Sequence, residues 1–149
     1  MADYESTRCD LLMFGALGDL AQRKLFPALY QLERVRLLHP DSRILAIARR
    51  PSDTGSVRDL LREKLKEHVK PGEFDTALVE QLLSRVDYQC LEFTDPDGFS
   101  VLCNWRSNDA RELIVYMATP PPMYGQIARN LHQSHCCDHN TRVVVEKPI

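Results

Sequence analysis

The chain has 149 residues, of which 44% are hydrophobic and 27% are charged, with a formal net charge of −2. This length suits one domain with a sizeable core, and the small net charge excludes the basic footprint of a nucleic-acid-binding protein. No apolar run approaches the roughly 20 residues that a membrane span needs, and the first six residues lack the apolar stretch of a signal peptide. Five cysteines without framework spacing indicate reduced thiols, so we expect a cytoplasmic protein.

Short apolar runs alternate with amphipathic stretches along the whole chain. The apolar runs predict strands over residues 10–14, 43–49, 88–93, 111–118 and 142–146. The helical spacing of leucine, valine and other apolar residues predicts helices near 18–34, 57–65, 78–86, 97–106 and 123–133. Pro27 lies inside the first helix and is expected to bend or loosen it.

This alternation is typical of an α/β fold. With right-handed crossovers it predicts a doubly wound, Rossmann-like parallel sheet with helices on both faces and strand order 3-2-1-4-5. Ligands of such sheets bind beyond the carboxyl ends of the strands. The predicted site is therefore formed by the turns after Phe14, Ala48 and Ala118 and by the segment after Glu146.

The first predicted strand runs directly into Gly15-x-x-Gly18-x-x-Ala21, a variant of the dinucleotide fingerprint. Glycine lets a ligand approach main-chain N–H groups, and the N-terminus of the following helix attracts a phosphate. The alternative is a plain turn, because glycines end strands in many α/β proteins. Asp19 would repel a phosphate, so we expect its side chain to cap the helix and turn away from the ligand.

The second strand is followed by a pair of arginines, Arg49 and Arg50. An NAD-binding domain usually has an acidic residue here for the ribose 2′-hydroxyl, whereas arginine suits a 2′-phosphate. The pair therefore favours NADP, the alternative being two solvated arginines. Lys24 in the first helix either adds charge near the phosphates or is a surface lysine.

Residues 15–30, with Gly-Asp-Leu-Ala at 18–21, closely resemble the opening of the glucose-6-phosphate dehydrogenase family. Three later parts resemble the family in the same order: the strand end with Arg49, residues 116–124, and residues 145–148. The resemblance covers nearly the whole chain. The Gly-Asp-Leu-Ala motif is highly specific, while Glu-Lys-Pro also occurs in other Rossmann oxidoreductases.

The resemblance implies a coenzyme site with a pyrophosphate turn, a 2′-phosphate arginine, a wall beside the nicotinamide and a lysine between coenzyme and sugar phosphate. The implied pyrophosphate turn consists of Gly15, Ala16, Leu17, Gly18, Asp19, Leu20, Ala21, Gln22 and Lys24. The 2′-phosphate arginine is Arg49, the nicotinamide wall is Pro120, Pro121 and Tyr124, and the lysine is Lys147. Lys147 is also the implied substrate residue, and a cis bond to Pro148 would aim it into the cleft. Leu17 departs from the Ser, Thr or Lys often found in relatives.

The implied activity is oxidation of glucose 6-phosphate to 6-phosphogluconolactone with reduction of NADP, in the oxidative pentose phosphate pathway. Hydride transfer needs a base for the hydroxyl proton, and the family's substrate motif and catalytic histidine lie beyond Ile149. None of the five histidines matches the catalytic position, so no catalytic residue is assigned. We expect residues 1–149 to form an NADP-binding domain without turnover, from a family of homo-oligomers.

Two other functions stay open at this point. A sugar dehydrogenase of the Gfo/Idh/MocA type also has Thr-Pro and Glu-Lys-Pro at comparable places, although the Asp-Leu-Ala extension and the helix with Pro27 count against it. A non-catalytic module that binds NADP and regulates or assembles with another protein also fits a chain without a base.

A histidine- and cysteine-rich segment covers residues 132–139. Imidazole and thiolate are good zinc ligands. Adjacent cysteines, however, rarely satisfy tetrahedral geometry together, and the sequence has no partner cluster. We therefore expect no metal site, and we expect Cys9, Cys90 and Cys103 to be small core residues.

Overall fold

The computed structural model describes residues 7–106 and 111–146. Its centre is an all-parallel sheet of five strands in the order β3-β2-β1-β4-β5. The strands are β1 (Cys9–Phe14), β2 (Arg43–Ala48), β3 (Val86–Cys90), β4 (Glu112–Met117) and β5 (Thr141–Val145). The predicted fold class and strand order are both confirmed. In the described part of the chain, no helix is long and apolar enough to cross a membrane.

In residues 7–106 and 111–146, five α-helices cover the two faces of the sheet. They are α1 (Phe26–Arg34), α2 (Thr54–His68), α3 (Thr76–Leu83), α4 (Ser100–Trp105) and α5 (Tyr124–Gln133). Helices α1, α2 and α3 pack on one face, where Tyr30, Leu61 and Leu82 are fully buried. Helices α4 and α5 pack on the other face through residues such as Leu102 and Ile127. The central strands are consequently apolar on both sides, as parallel strands usually are.

The first predicted helix is not a regular α-helix throughout. It starts with a π-helical turn, Ala21–Leu25, in which the amide of Phe26 bonds the carbonyl of Ala21, and α1 follows directly. Pro27 has no N–H for an α-helical bond, and the widened turn lies immediately before it. The expected loosening of this helix is therefore confirmed.

The third strand ends earlier than predicted. It pairs with β2 from Val86 to Cys90, and the chain then leaves the sheet. Phe93 turns inward instead of continuing the strand, and its ring meets that of Phe14 edge to face at 5.5 Å. The aromatic contact in the core accounts for the apolar character that suggested a longer strand.

The cysteines differ from the prediction of reduced, buried thiols. Cys103 in α4 and Cys136 after α5 form a disulfide, with their Cα atoms 4.9 Å apart. Their sequence separation of 33 carries no signal of this pairing, which arises because both residues lie in the same hydrophobic cluster on one face of the sheet. Cys90 was also expected in the core but is exposed at the end of β3.

Candidate functional site

The glycine turn after β1 depends on a conformation that other residues rarely adopt. Gly15 has φ of +81°, and a Cβ at this position would lie 2.6 Å from the carbonyl oxygen of Ala118. Its amide donates to the carbonyl of Ile47 at 2.9 Å. The turn is thus pressed between the ends of β2 and β4, and only a residue without a side chain fits there.

The rest of the turn is braced by its own hydrogen bonds. The amide of Gly18 donates to the carbonyl of Gly15 at 3.0 Å, and the side-chain amide of Gln22 donates to the carbonyl of Leu17 at 2.7 Å. Leu20 already has helical backbone angles. Among the described residues, no backbone acceptor is bonded to the amides of Asp19, Leu20 and Ala21. Three N–H groups at a helix start are the usual partners of a phosphate.

Asp19 does not cap this helix, so that prediction is wrong. The first turn has no side-chain cap, and the Asp19 carboxylate lies 3.5 Å from the guanidinium of Arg23 with 81% of its side chain exposed. A cap must fold back over the amides of its own turn, whereas Asp19 points outward to a residue four positions ahead. The carboxylate is therefore directed away from these amides.

The turn opens onto a groove of about 200 Å³ at the carboxyl edge of the sheet. The groove is lined by Gly15, Leu17, Gly18, Ala48, Arg49, Phe93, Ala118, Thr119, Pro120 and Met123. Five of these were predicted from the sequence, and they come from the turns after β1, β2 and β4. The others were missed. Ala118 ends a predicted strand and Ala48 lies one residue before the end of another, so both could have been included, but the inward turn of Phe93 has no sequence signal.

Thr119 is the most informative of the missed residues. It is 9% exposed, and its Oγ1 is the buried side-chain atom that lacks a hydrogen-bond partner in the described part of the chain. An unsatisfied buried hydroxyl is costly. Its position between Ala118 and Pro120 places it at the end of β4, in the wall of the groove.

The arginine pair after β2 lies at the other end of the groove. Arg49 and Arg50 are both exposed. The acidic residue that follows them is already engaged, because the Asp53 side chain accepts a hydrogen bond from the amide of Ser56 at 2.7 Å and caps α2. That bond lowers the pKa of Asp53. No carboxylate in this loop is therefore placed to recognise a ribose 2′-hydroxyl.

Several predicted coenzyme residues lie beside the groove and not in it. Ala16 and Ala21 are fully buried, and the amide of Ala16 is bonded to the carbonyl of Ile47. Lys24 lines a separate cleft of about 520 Å³ with Asp19, Leu20, Arg23 and His68. These residues support the turn or adjoin it from the helix side.

The nicotinamide wall predicted from the sequence joins the end of β5. Pro121 begins a short 3-10 turn before α5, and the hydroxyl of Tyr124 donates to the carbonyl of Glu146 at 3.3 Å. Tyr116 donates to the Glu146 carboxylate from β4. Burial, and after it this hydrogen bond, raises the pKa of Tyr116 to about 12. Lys147 and the predicted cis bond to Pro148 lie outside the described residues.

In the histidine- and cysteine-rich segment, one of the two cysteines is already in a covalent bond. Cys136 is paired with Cys103 in the disulfide. Within residues 7–106 and 111–146, no three His, Cys, Asp or Glu side chains converge as metal ligands.

Comparison with known proteins identifies the family of the chain. A family model described as the NAD binding domain of glucose-6-phosphate dehydrogenase matches residues 12–149. The glucose-6-phosphate 1-dehydrogenase of Dickeya dadantii is 40% identical over 141 residues, which is 95% of this chain and 28% of that protein. The enzyme of the same name from Mycolicibacterium smegmatis is 34% identical over 146 residues, covering 95% of this chain and 30% of its own length.

Solved structures that resemble this chain are also glucose-6-phosphate dehydrogenases. The crystal structure of glucose-6-phosphate 1-dehydrogenase from Mycobacterium avium has a TM-score of 0.86 and 31% identity, covering 95% of this chain and 30% of that one. A glucose-6-phosphate dehydrogenase in complex with glucose 6-phosphate has a TM-score of 0.81 and 30% identity, with 99% and 32% covered. The chain spans less than a third of these relatives. It belongs to the glucose-6-phosphate dehydrogenase family, in which it corresponds to the domain that binds a nicotinamide dinucleotide.

Proposed function

We propose that this chain is the coenzyme domain of an NADP-dependent glucose-6-phosphate dehydrogenase and that it binds NADP(H) along the groove at the carboxyl edge of the sheet. The observation that carries the proposal is the Gly15 turn, where a Cβ would lie 2.6 Å from the Ala118 carbonyl oxygen. The turn lets a ligand reach the bare amides that follow it. A pyrophosphate matches those amides in charge and hydrogen-bonding capacity.

The preference for NADP over NAD follows from charge at the β2 end of the groove. Arg49 and Arg50 are exposed there, and Asp53 is occupied in capping α2. A guanidinium forms strong paired hydrogen bonds with a phosphate, whereas recognition of NAD normally needs an acidic partner for the 2′-hydroxyl. We assign Arg49 to the 2′-phosphate because it lines the groove itself.

The β4 end of the groove would hold the nicotinamide. Pro120 and Met123 form an apolar wall there, and the Thr119 hydroxyl offers a polar group in the same wall. When bound, the nicotinamide ring supplies the hydride acceptor for oxidation of the sugar at C1. We propose Lys147, which follows β5, as the residue that contacts both coenzyme and sugar phosphate.

The complete reaction also requires a base for the sugar hydroxyl proton. The proposed domain consists of residues 1–149, and we place that base in a separate substrate domain, as the greater length of the relatives allows. The isolated chain should therefore bind NADPH but should not form NADPH from NADP and glucose 6-phosphate. Measurable turnover by the purified chain would show that a base is present within it.

The coenzyme assignment is tested by titrating the purified chain with NADPH and with NADH. We expect tighter binding of NADPH, and Arg49→Glu should weaken it about 100-fold because a charge-assisted pair is replaced by repulsion. Arg129→Glu is the matched control, since Arg129 is exposed on α5 and bonds within that helix. Equal affinities of the wild-type chain for both coenzymes would refute the NADP assignment.

A further inference from the structure

The loop that carries the arginine pair is attached at both ends to one residue of the neighbouring strand. Tyr88 in β3 is paired with Ala46 of β2, and its hydroxyl reaches past the end of β2. The hydroxyl donates to the carbonyl of Arg50 and lies 3.4 Å from the carbonyl oxygen of Ala48. The amide of Tyr88 donates to Oγ1 of Thr54, the first residue of α2, at 3.0 Å.

A second β3 side chain contacts the carbonyl of Arg49, which lies between the carbonyls of Ala48 and Arg50. The thiol of Cys90 lies 3.4 Å from the carbonyl oxygen of Arg49. The carbonyls of Ala48, Arg49 and Arg50 are thus all contacted by β3 side chains. Asp53 closes the loop at its far end by capping α2. The backbone of this loop is thus held on both sides of Pro51 and Ser52, by β3 at residues 48–50 and by α2 at Asp53.

The side chains of the two arginines are in a different situation from their backbone. Both residues are exposed, and no hydrogen bond or ion pair of either guanidinium is found among the described residues. The loop therefore combines a held backbone with two cationic side chains directed to solvent beside the groove. A site arranged in this way loses little conformational freedom when a phosphate binds.

We propose that Tyr88 is a positioning residue for the recognition of a ribose 2′-phosphate, and that it acts by holding the Arg49–Arg50 turn through its hydroxyl. The inference rests on the proposed function, and it adds a residue of β3 to the arginines as a determinant of 2′-phosphate binding. Tyr88 need not touch the coenzyme. Its effect is confined to ligands that carry the phosphate monoester, because the pyrophosphate turn is held separately by Gly15, Gly18 and Gln22.

The test is Tyr88→Phe, which removes the hydroxyl and keeps the ring that packs on the core beside α2 and α3. We expect affinity for NADPH and for 2′,5′-ADP to fall about fivefold, because the turn is no longer pre-organised. Affinity for NADH and ADP should change less than twofold. Hydrogen exchange of the Tyr88 and Ser56 amides, which are bonded to Thr54 and Asp53 at the far end of the loop, should accelerate about fivefold in the ligand-free variant.

The matched control is Tyr30→Phe. The Tyr30 hydroxyl also bonds the main chain, donating to the carbonyl of Glu73 at 2.7 Å and accepting from the amide of Asp75 at 2.8 Å. This variant loses comparable tyrosine hydrogen bonds away from the arginine turn. We expect it to lower stability while keeping the wild-type ratio of NADPH to NADH affinity.

Two results would overturn the role of Tyr88: unchanged affinity for both coenzymes in Tyr88→Phe, or an equal fall in affinity for both. The second result would mark a purely structural residue. Failure of the proposed function is distinguishable, because the wild-type chain would then show no preference for NADPH before any substitution is made. In that case the exchange rates of the Tyr88 and Ser56 amides still decide whether Tyr88 holds the loop.

Discussion

The central strand β1 and the edge strand β5 are both apolar parallel strands, yet they have opposite surroundings. From Leu11 to Phe14, β1 is at most 8% exposed, whereas Val143, Val144 and Val145 of β5 are 39–54% exposed. Strands of a parallel sheet are normally covered on both faces. The region around β1 is buried and leads into the Gly15 turn, while β5 presents exposed apolar side chains.

The largest effect is expected at the turn after β1. Gly15→Ala would force a side chain into a positive φ and against the Ala118 carbonyl, and should destabilise the chain by about 2–3 kcal/mol. Denaturant unfolding measures this loss, and NADPH titration should show that binding is abolished. Gly72→Ala is the control, because a Cβ at Gly72 has nothing within 4 Å. A loss as large in Gly72→Ala would contradict the role of the turn.

The next effect concerns the exposed valines of β5. Val143 and Val145 share a face of an edge strand, which favours association with a second copy. The wild-type chain should therefore self-associate as its concentration rises, and the double variant Val143→Lys, Val145→Lys should stay monomeric in sedimentation velocity. The control pair is Val35→Lys and Leu37→Lys, which are 54% and 55% exposed but lie outside the sheet. A wild-type chain that stays monomeric at high concentration would show that the exposed valines of β5 do not drive association.

A smaller effect separates two threonines, Thr119 just after β4 and Thr54 at the start of α2. Thr119→Val removes a buried hydroxyl without a partner in the described residues, and should stabilise the chain by about 1 kcal/mol. Thr54→Val removes the acceptor of the Tyr88 amide, and should destabilise it by about 1 kcal/mol. Urea unfolding of both variants measures the difference. Destabilisation by Thr119→Val would show that its hydroxyl is satisfied.

The smallest effect is a pH dependence at the end of β5. The pKa of Tyr116 is raised from 10.0 to about 12, so the unfolded chain ionises first as pH rises. The corresponding stability is complete below pH 10 and is lost as pH rises to about 12. Urea unfolding over this range should show a shallower decline in Tyr116→Phe than in wild type. An identical decline in both would rule out this tyrosine as the cause.

The parts of the fold that follow from local patterns were predictable. Alternating apolar runs and helical stretches identify five strands, and the rule of right-handed crossovers orders them. The end of β3 was not predictable, because Phe93 is as apolar as a strand residue and leaves the sheet for a contact with Phe14. The Cys103–Cys136 disulfide and the outward Asp19 likewise depend on neighbours distant in sequence or on rotamer choice.

The sequence by itself determined the order of the sheet, the position of the glycine turn and the family, because each depends on residue types at fixed spacing along the chain. Only the tertiary structure decided which residues meet at the groove. Thr119, Phe93 and the β3 contacts of the arginine loop belong to elements far apart in sequence, brought together by parallel pairing of the strands. Their roles depend on distance and burial, which no spacing along the chain encodes.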